Sequence, residues 1–504
     1  MSVAVVRGIT LNGLEGEVID IEVDVSHGLP GYQLLGLPDA ALNEARDRIR
    51  SAINNSGKRW PQTKITVSLS PAWLPKSGSG FDLPISVAIL SATQQTIEID
   101  TSETILIGEL SLEGYVRPVR GVLPMLIAAE KHGIRRAVVP EANLSEAKLV
   151  SRLEIIPATS LSQVLAVLSG VEVPRQIRLV EHHPEFPSVD FSEVAGQFEA
   201  KKGLEIAATG GHHILMMGPP GTGKTMLAER LPTILPRLDD NQVRDVAAIH
   251  SLAGTSQLQS ILHHTPPFVS PHHTTTSAGM VGGGTKTIRP GACSLAHHGV
   301  LFIDEAPECA HGILDALRQP LESGVIEITR AIGATRFPAR FILALAANPC
   351  PCGRFSGKGR SCQCSSLQVR RYLNRLSGPL LDRIDVKLKV ENPTRADLAS
   401  NEPRESSTEM RARVEGARKI AQERFKEFGF QLNSAIPSEL LRTRFRAQNK
   451  AMSILHILIE REELTARGFH KILRLSWTIA DLRGVSTPGV DEVESALALR
   501  TETT

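Results

Sequence analysis

The sequence predicts two folded parts: a compact α+β domain at the front, then an α/β domain with a buried parallel sheet and a helical C-terminal region. Residues 218–225 form a glycine-rich turn between an apolar run and the start of a helix. Two later apolar runs, at 300–303 and 341–347, have the length of fully buried strands. The front of the chain instead alternates apolar and polar residues, which indicates half-buried strands.

The front domain is predicted to occupy residues 1–168. Residues 19–25 alternate apolar and acidic side chains, and residues 65–69 alternate again, so both segments are predicted strands. Helices are predicted from Leu37 to about Ile53, with a proline in the first turn, and from Leu123 to Lys131. Strands and helices mixed in this way favour an α+β domain.

A proline-bearing stretch, residues 169–189, is predicted to link the front domain to the rest of the chain. The α/β domain is predicted at 190–392. Within it, the long excursion from 239 to 296 is interpreted as inserted hairpins more than as core. Residues 393–504 are predicted to be mostly helical.

The glycine-rich turn has the pattern G-x-x-x-x-G-K-[ST]. Consecutive backbone N–H groups of such a turn close around phosphate oxygens, and the following helix N-terminus adds partial positive charge. We expect Lys224 to reach the β and γ phosphates of ATP, and the Thr225 hydroxyl to ligate Mg²⁺. The alternative, a glycine turn that binds nothing, is disfavoured by the flanking strand and helix. The residues predicted to contact nucleotide are Gly218, Pro219, Pro220, Gly221, Thr222, Gly223, Lys224, Thr225 and Met226.

Two carboxylates follow the buried run at 300–303. Asp304 and Glu305 would lie at the carboxyl edge of a parallel sheet, beside the glycine-rich turn, where open α/β sheets bind ligands. We expect Asp304 to support Mg²⁺ and Glu305 to polarise the attacking water. The alternative is an exposed acidic strand end.

Bulk composition limits the functional classes. Charged residues make up 22% of the 504 residues and the net charge is +2, so any nucleic-acid surface must be local. Aromatic residues make up 4%, which argues against extensive base-stacking platforms. The N-terminus has no signal-peptide pattern and no apolar run reaches membrane-spanning length, so the expected location is cytoplasmic, without membrane contact.

Four cysteines cluster late in the α/β domain. Cys350-x-Cys352 and Cys362-x-Cys364 place four thiols around a nine-residue loop. Four sulfurs can form a closed tetrahedral zinc site, and a closed site would be structural. Reduced thiols without metal are the alternative, because the C-x-C spacing is tighter than the usual C-x-x-C.

Several strings of the sequence resemble one family, the competence protein ComM group of Mg-chelatase-like AAA+ ATPases. Beside the glycine-rich turn, these strings are Leu204-Glu205-Ile206-Ala207-Ala208, Pro271-His272-His273-Thr274, Ser294-Leu295-Ala296-His297-His298-Gly299 with the strand and acidic pair after it, Asn348-Pro349-Cys350-Pro351-Cys352-Gly353, and Ser377-Gly378-Pro379-Leu380-Leu381-Asp382-Arg383-Ile384-Asp385. The resemblance covers nearly the whole chain. It implies an AAA+ P-loop NTPase core at 190–392 and a helical lid at 393–504.

The resemblance also implies roles for four further residues. Gly196 would lie by the adenine, Asn348 would be the sensor of the γ-phosphate, and Arg383 would be an arginine finger that acts on a neighbouring subunit. Arg467 would be a second-sensor arginine, with Arg474 as the alternative. For Asn348 the other interpretation is a turn before proline, and for Arg383 a salt bridge to Asp382 or Asp385.

The front domain resembles the Lon-protease-like domain of Mg-chelatase-related ATPases. Residues 75–80 stand where Lon-type proteases carry their nucleophilic serine, and Gly80 occupies that position. Leu123 occupies the position of the catalytic lysine. Ser79 is close by but has no base that the sequence identifies. We therefore expect this domain to bind, couple or assemble, and not to cleave peptides.

The resemblance implies a hexameric, ATP-driven motor on DNA, associated with migration of branched joints during integration of transformed DNA. The pair His272-His273 and the glycines that follow it are candidates for a loop that faces a central pore. Residues 267–270 lack the arginines of the R-P-F-R-like string usual there, which weakens a DNA contact from that segment. Rival functions are a chelatase-type or protein-remodelling motor, a non-enzymatic regulator, and an ATP-dependent protease.

Overall fold

The structure is a computed structural model of the 504-residue chain. It describes residues 2–76, 78–96, 103–171, 189–284, 288–310, 312–330, 333–355, 362–399 and 403–501. Most of the predicted linker, residues 172–188, lies outside the described residues.

The front part of the chain is an α+β unit. Its strands are β1 Ser2–Asn12, β2 Glu15–Ser26, β3 Gly31–Leu35, β4 Lys64–Ser70, β5 Thr104–Leu106, β6 Glu109–Leu110, β7 Val116–Arg117, β8 Arg136–Pro140 and β9 Glu154–Ala158. Its helices are α1 Ala40–Asn55, α2 Asp82–Ala92, α3 Val122–Lys131, α4 Leu144–Ala147 and α5 Leu161–Leu168.

A mixed sheet in the order β3-β4-β2-β1-β5-β8-β9 organises this unit. In β2 the alternating residues Ile19, Ile21 and Val23 are fully buried, as the period-two pattern predicts. Helix α1 begins where the Asp39 carboxylate accepts a hydrogen bond from the Leu42 N–H at 2.9 Å. The α+β expectation for the front of the chain is confirmed.

The middle part carries a second sheet and its helices. The elements are α6 Phe198–Gly210, β10 Ile214–Met217, α7 Lys224–Ile234, α8 Asp240–Ala253, α9 Leu258–Leu262, β11 Phe268–Val269, α10 Ser277–Val281, β12 Gly282–Gly283, β13 Arg289–Pro290, α11 Ala292–Leu295, β14 Val300–Ile303, α12 Ile313–Ala316, α13 Arg318–Ser323, β15 Val325–Arg330, β16 Gly333–Pro338, β17 Ile342–Ala347, α14 Ser366–Leu373, α15 Gly378–Leu381, β18 Val386–Lys389 and α16 Arg395–Ala399.

The second sheet is parallel, in the order β11-β14-β17-β10-β18. Strands β14 and β17 are buried along their whole length, because helices cover both faces of such a sheet. The predicted α/β fold is confirmed. The excursion at 239–296 differs from the expectation: β11 is an edge strand of the sheet and α8 packs in a hydrophobic core, whereas β12 and β13 form a short hairpin.

The C-terminal part is helical. It contains α17 Ser407–Arg424, α18 Ser438–Arg442, α19 Asn449–Glu460, α20 Ala466–Arg483 and α21 Val490–Thr501. Apolar side chains of α17 and α20 share one hydrophobic core with α6 and α7 of the middle part. None of the helices in the described ranges combines the length and apolarity that a membrane crossing requires.

Candidate active site

The glycine-rich turn lies between β10 and α7, as the sequence predicts. Gly223 has φ +88°, a left-handed conformation that favours glycine. A side chain at Gly218 would collide with the carbonyl of Val390, whereas one at Gly221 would meet no atom within 4 Å. The middle of the turn is therefore open to an approaching phosphate group.

Lys224 folds over this turn. Its ammonium group donates hydrogen bonds to the carbonyls of Gly218 and Pro219, at 2.7 and 2.9 Å, and to the Asn348 side-chain oxygen at 3.2 Å. Burial lowers the pKa of Lys224, and the carboxylates of Asp304 and Glu305 oppose that shift. The predicted phosphate contact and the predicted sensor are thus within hydrogen-bond distance of each other.

The acidic pair follows β14 at the same edge of the sheet. The Thr225 hydroxyl donates a hydrogen bond of 2.7 Å to the Asp304 carboxylate. Two oxygen atoms of the kind that bind Mg²⁺ therefore lie next to each other. That spacing suits neighbouring ligands of one Mg²⁺, which binds oxygens at about 2.0–2.1 Å in octahedral geometry. Glu305 has a left-handed backbone, φ +49°, and its N–H is bonded to the Asp304 carboxylate at 2.8 Å.

Gly196 and Gln197 lie next to the glycine-rich turn. The Gln197 side-chain amide donates to the Thr222 carbonyl at 2.7 Å, and Gln197 has φ +56°. A side chain at Gly196, φ +59°, would press into Asp397. Met226 lies in the first turn of α7, partly buried, with its methyl group near Gly223.

Arg383 lies at the end of the sheet where the parallel strands begin, opposite the end that carries the glycine-rich turn. It precedes β18, and β18 runs parallel to β10 with Val386 beside Ile214 and Lys389 beside Met217. The start of β18 is therefore far from the glycine-rich turn, which follows the end of β10. Arg383 forms an ion pair with Glu322, and not with Asp382 or Asp385, the partners that its alternative interpretation named.

Arg467 is on the same remote edge as Arg383. It pairs with Asp382 at 3.2 Å, whereas Arg474 is mostly buried and donates to the Ile436 carbonyl at 2.9 Å. Burial lowers the pKa of Arg383, and the positive charges of Arg318 and Arg467 add to the effect. Arg318, which the sequence analysis passed over because no motif marks it, therefore belongs to this arginine cluster.

The structure brings the four clustered cysteines together. Their sulfur atoms all lie within 4.8 Å of one another, with Cys350 3.3 Å from Cys352 and 3.6 Å from Cys362. Four thiolates at about 2.3 Å from one zinc would be roughly 3.8 Å apart, so the spacing fits a closed tetrahedral site that Cys364 completes. The turn that carries these thiols packs on the glycine-rich turn, because a side chain at Gly353 would come within 2.7 Å of Pro220.

His273 is a site residue that the sequence analysis placed elsewhere, in a candidate pore loop. Its ring nitrogen Nδ1 lies 3.4 Å from the Glu305 carboxylate. No sequence motif marks this contact; the signal is the end of β11, which pairs with β14 and so delivers the following loop to the acidic pair.

In the front domain, Gly80 and Leu123 stand at the two positions compared with the Lon dyad. Leu123 is fully buried and its N–H faces the Ser251 hydroxyl of α8 at 3.4 Å. Ser79 does have a partner, since its hydroxyl donates to the Glu109 carboxylate, which corrects the expectation that it lacks a basic neighbour.

Comparisons with known proteins match three successive parts of the chain to Mg-chelatase families. The family described as "Magnesium chelatase, subunit ChlI" matches residues 190–398, "Subunit ChlI of Mg-chelatase" matches 21–143, and "Magnesium chelatase, subunit ChlI C-terminal" matches 404–500. An uncharacterized protein of Mycobacterium tuberculosis is 45% identical over 98% of this chain and 97% of its own length.

Two further groups of relatives match different shares of the chain. "Competence protein ComM" of Haemophilus influenzae and the protein YifB of Escherichia coli are each 40% identical, over 96% of this chain and 94% of their own lengths. A Lon protease of Mycolicibacterium smegmatis is 27% identical over only 32% of this chain and 22% of its own length.

Proposed function

The chain belongs to the ComM group of Mg-chelatase-like AAA+ ATPases, and from that premise we propose that it is a ring-forming motor that moves along DNA. AAA+ membership makes the protein an ATP hydrolase. The coupling of hydrolysis to DNA movement, and to migration of branched joints, is the proposal.

The convergence of five side chains at one sheet edge carries the ATPase part of this proposal. Lys224 would neutralise the β and γ phosphates, exchanging its bonds to the loop carbonyls for phosphate oxygens. Thr225 and Asp304 would hold Mg²⁺, which supplies charge neutralisation when bound. Glu305 would accept a proton from the attacking water, and Asn348 would orient that water.

Arginine placement supports assembly into a ring. Arg383 precedes β18, at the end of the sheet opposite the glycine-rich turn, and Arg467 pairs with Asp382 beside it, so both stand away from their own turn. A head-to-tail ring would bring this edge against the nucleotide of the neighbouring subunit. We propose that both arginines act there, after leaving their carboxylate partners Glu322 and Asp382.

The DNA partner is inferred from the family resemblance and from local charge. Helix α14 follows the last of the four cysteines directly, and it exposes Arg370 and Arg371 to solvent. Exposed arginines of this kind would bind phosphate groups independently of base sequence.

A protein partner is the second candidate, and one observation favours it. The front domain exposes large apolar side chains, with Leu29 at 89% and Trp73 at 75% of full exposure. Such side chains are more typical of a protein contact than of a phosphate contact. A remodelling motor would use the same ATPase site without a response to DNA.

We further propose that the four cysteines hold one structural zinc ion. The sulfur spacing supports this assignment, and four thiolates would leave no open coordination position for catalysis. The ion would fix the turn from Asn348 to Gly353 and thereby the sensor side chain.

The experiment that tests the proposed function is ATP turnover without DNA, with single-stranded DNA and with a branched junction. Glu305→Gln serves as the blank, because it keeps the shape of the side chain but cannot accept a proton. We expect strong stimulation by DNA. Turnover that no DNA changes would refute the DNA part and favour the protein partner, while the ATPase assignment would stand.

A further inference from the structure

We propose that Lys471 of the C-terminal helical part is a positioning residue for Arg383, which it holds in place through Asp385. This role rests on the proposed action of Arg383 on the nucleotide of the neighbouring subunit. Its basis is a buried ion pair. Nζ of Lys471 lies 2.8 Å from a carboxylate oxygen of Asp385, and the two side chains are only 10% and 9% exposed.

Helix α20 contacts the chain on both sides of Arg383. Before it, Asp382 pairs with Arg467 at 3.2 Å, and after it, the Ile384 carbonyl accepts a hydrogen bond of 3.1 Å from Nζ of Lys471. Arg467 and Lys471 are four residues apart, so both side chains project from one face of the helix. The Arg467 pair is exposed and is released in the proposed function, so the buried Lys471 contact is the one that persists.

Asp385 also ties α20 to the central sheet. Its carboxylate lies 3.0 Å from Nδ1 of His212, a fully buried residue two positions before β10. Nε2 of His212 lies 2.8 Å from the Thr478 hydroxyl, which belongs to α20. Burial opposes the charge of Asp385, but Lys471 and His212 outweigh it, so the pKa of this carboxyl lies below its ordinary value. The residues around Asp385 therefore form one charged, buried attachment between helix and sheet.

The contacts of the guanidinium itself fix Arg383 less firmly. Its ion pair is with Glu322, whose side chain is 67% exposed, so solvent weakens the attraction. It also donates a hydrogen bond of 2.6 Å to the Pro379 carbonyl, which belongs to the same short segment. Its Nε atom is buried without a hydrogen-bond partner in the described part of the chain. The location of Arg383 is therefore set mainly by the backbone that Asp385 and Lys471 hold.

The test is hydrolysis by the full chain with the double variant Lys471→Met/Asp385→Asn. Changing both residues avoids a lone buried charge, and replacing both partners of a buried pair is often neutral for stability. We expect kcat to fall about 100-fold, because a misplacement of about 1 Å near the reacting atoms costs about that much. ATP affinity should be unchanged, since both residues lie at the end of the sheet opposite the glycine-rich turn.

Mixed rings separate the positioning of Arg383 from a general loss of structure. The double variant keeps Glu305 and misplaces Arg383, so it should behave like Arg383→Ala. A one-to-one mixture with Glu305→Gln should recover about a quarter of wild-type turnover, because about one interface in four joins a working Glu305 to a working arginine. A mixture with Arg383→Ala should recover nothing, since neither subunit supplies the arginine. A general loss of structure would leave both mixtures inactive.

The matched control is Arg424→Met/Asp481→Asn. Arg424 and Asp481 form another buried pair on α20, with side chains 16% and 1% exposed, but this pair joins α20 to α17. The control should keep wild-type turnover.

Three outcomes would overturn the role of Lys471: wild-type turnover by the double variant, no recovery with Glu305→Gln, or recovery with Arg383→Ala instead. Each of these leaves the proposed function standing as long as Arg383→Ala mixed with Glu305→Gln recovers its quarter. If that mixture recovers nothing, the action of Arg383 between subunits is refuted, and the role of Lys471 falls with it.

Discussion

Replacing Arg383 with alanine should abolish turnover and leave nucleotide affinity unchanged. The four residues of β18 span about 10 Å at a rise of about 3.3 Å per residue, and they separate Arg383 from the edge where ATP would bind. Loss of an arginine finger lowers kcat by about 10³–10⁵-fold, which corresponds to roughly 4–7 kcal/mol of transition-state stabilisation. The fold should be unaffected, because among the described residues the change removes one ion pair, to Glu322, which is 67% exposed, and one hydrogen bond, to the Pro379 carbonyl.

The assay is hydrolysis by mixed rings. Arg383→Ala subunits keep Glu305, and Glu305→Gln subunits keep Arg383, so each variant alone should be inactive. In a random one-to-one mixture, about one interface in four joins an intact Glu305 to an intact arginine of the neighbour. Recovery of about a quarter of wild-type turnover is therefore expected. If Arg383→Ala remains active alone, or the mixture recovers nothing, the action of Arg383 on a neighbour is refuted.

Three further predictions concern binding, metal and pH. Lys224→Ala should lose binding of a fluorescent ATP analogue, and unchanged affinity would contradict the assignment of the phosphate loop. Metal analysis should find about one zinc per chain and none in Cys352→Ser; four titratable thiols without zinc would refute the metal site. Burial lowers the pKa of His213 and of His250 to about 4 and that of His297 to about 3, so the unfolded chain binds more protons below pH 6.5. Stability should then be full above pH 6.5 and fall toward pH 4, by about 1.4 kcal/mol per histidine per pH unit; equal denaturation midpoints at pH 7.5 and 5.5 would contradict this.

Much of the fold follows from local sequence patterns. The run at 300–303 is apolar at every position, and so short a run is typical of a strand that is covered on both faces. The glycine-rich turn carries its own geometry, because its φ values and close contacts exclude most side chains. The α/β class could be predicted for these reasons, and the family could be predicted from the longer strings at 271–274, 294–299, 348–353 and 377–385. The comparisons confirm both.

The contacts around the site depend on tertiary placement that short patterns do not encode. Strand β11 has only two residues, too few for any periodicity, so the sequence around it predicts inserted hairpins and does not predict the approach of His273 to Glu305. Arg318 is likewise an ordinary helix residue until folding brings α13 beside the turn before β18, where its charge acts on Arg383. The roles of these arginines stay predictions until they are measured.

The joint between the two parts of the chain includes Leu123, one of the two positions compared with the Lon dyad. Leu123, at the position compared with the Lon lysine, lies in a hydrophobic core that α3 shares with α8 of the ATPase part. Two backbone N–H groups at the start of α3 contact Ser251 of α8. The N–H of Gly121 lies 3.0 Å from the Ser251 carbonyl, and the N–H of Leu123 lies 3.4 Å from the Ser251 hydroxyl. A lysine at position 123 would place an ammonium group in this core, and burial of a charge there would destabilise the joint. The surface of α3 that packs against α8 therefore could not also carry a catalytic lysine at position 123 without weakening this contact. We infer that the leucine fixes the front domain to the first helix of the long excursion, the same excursion that carries His273.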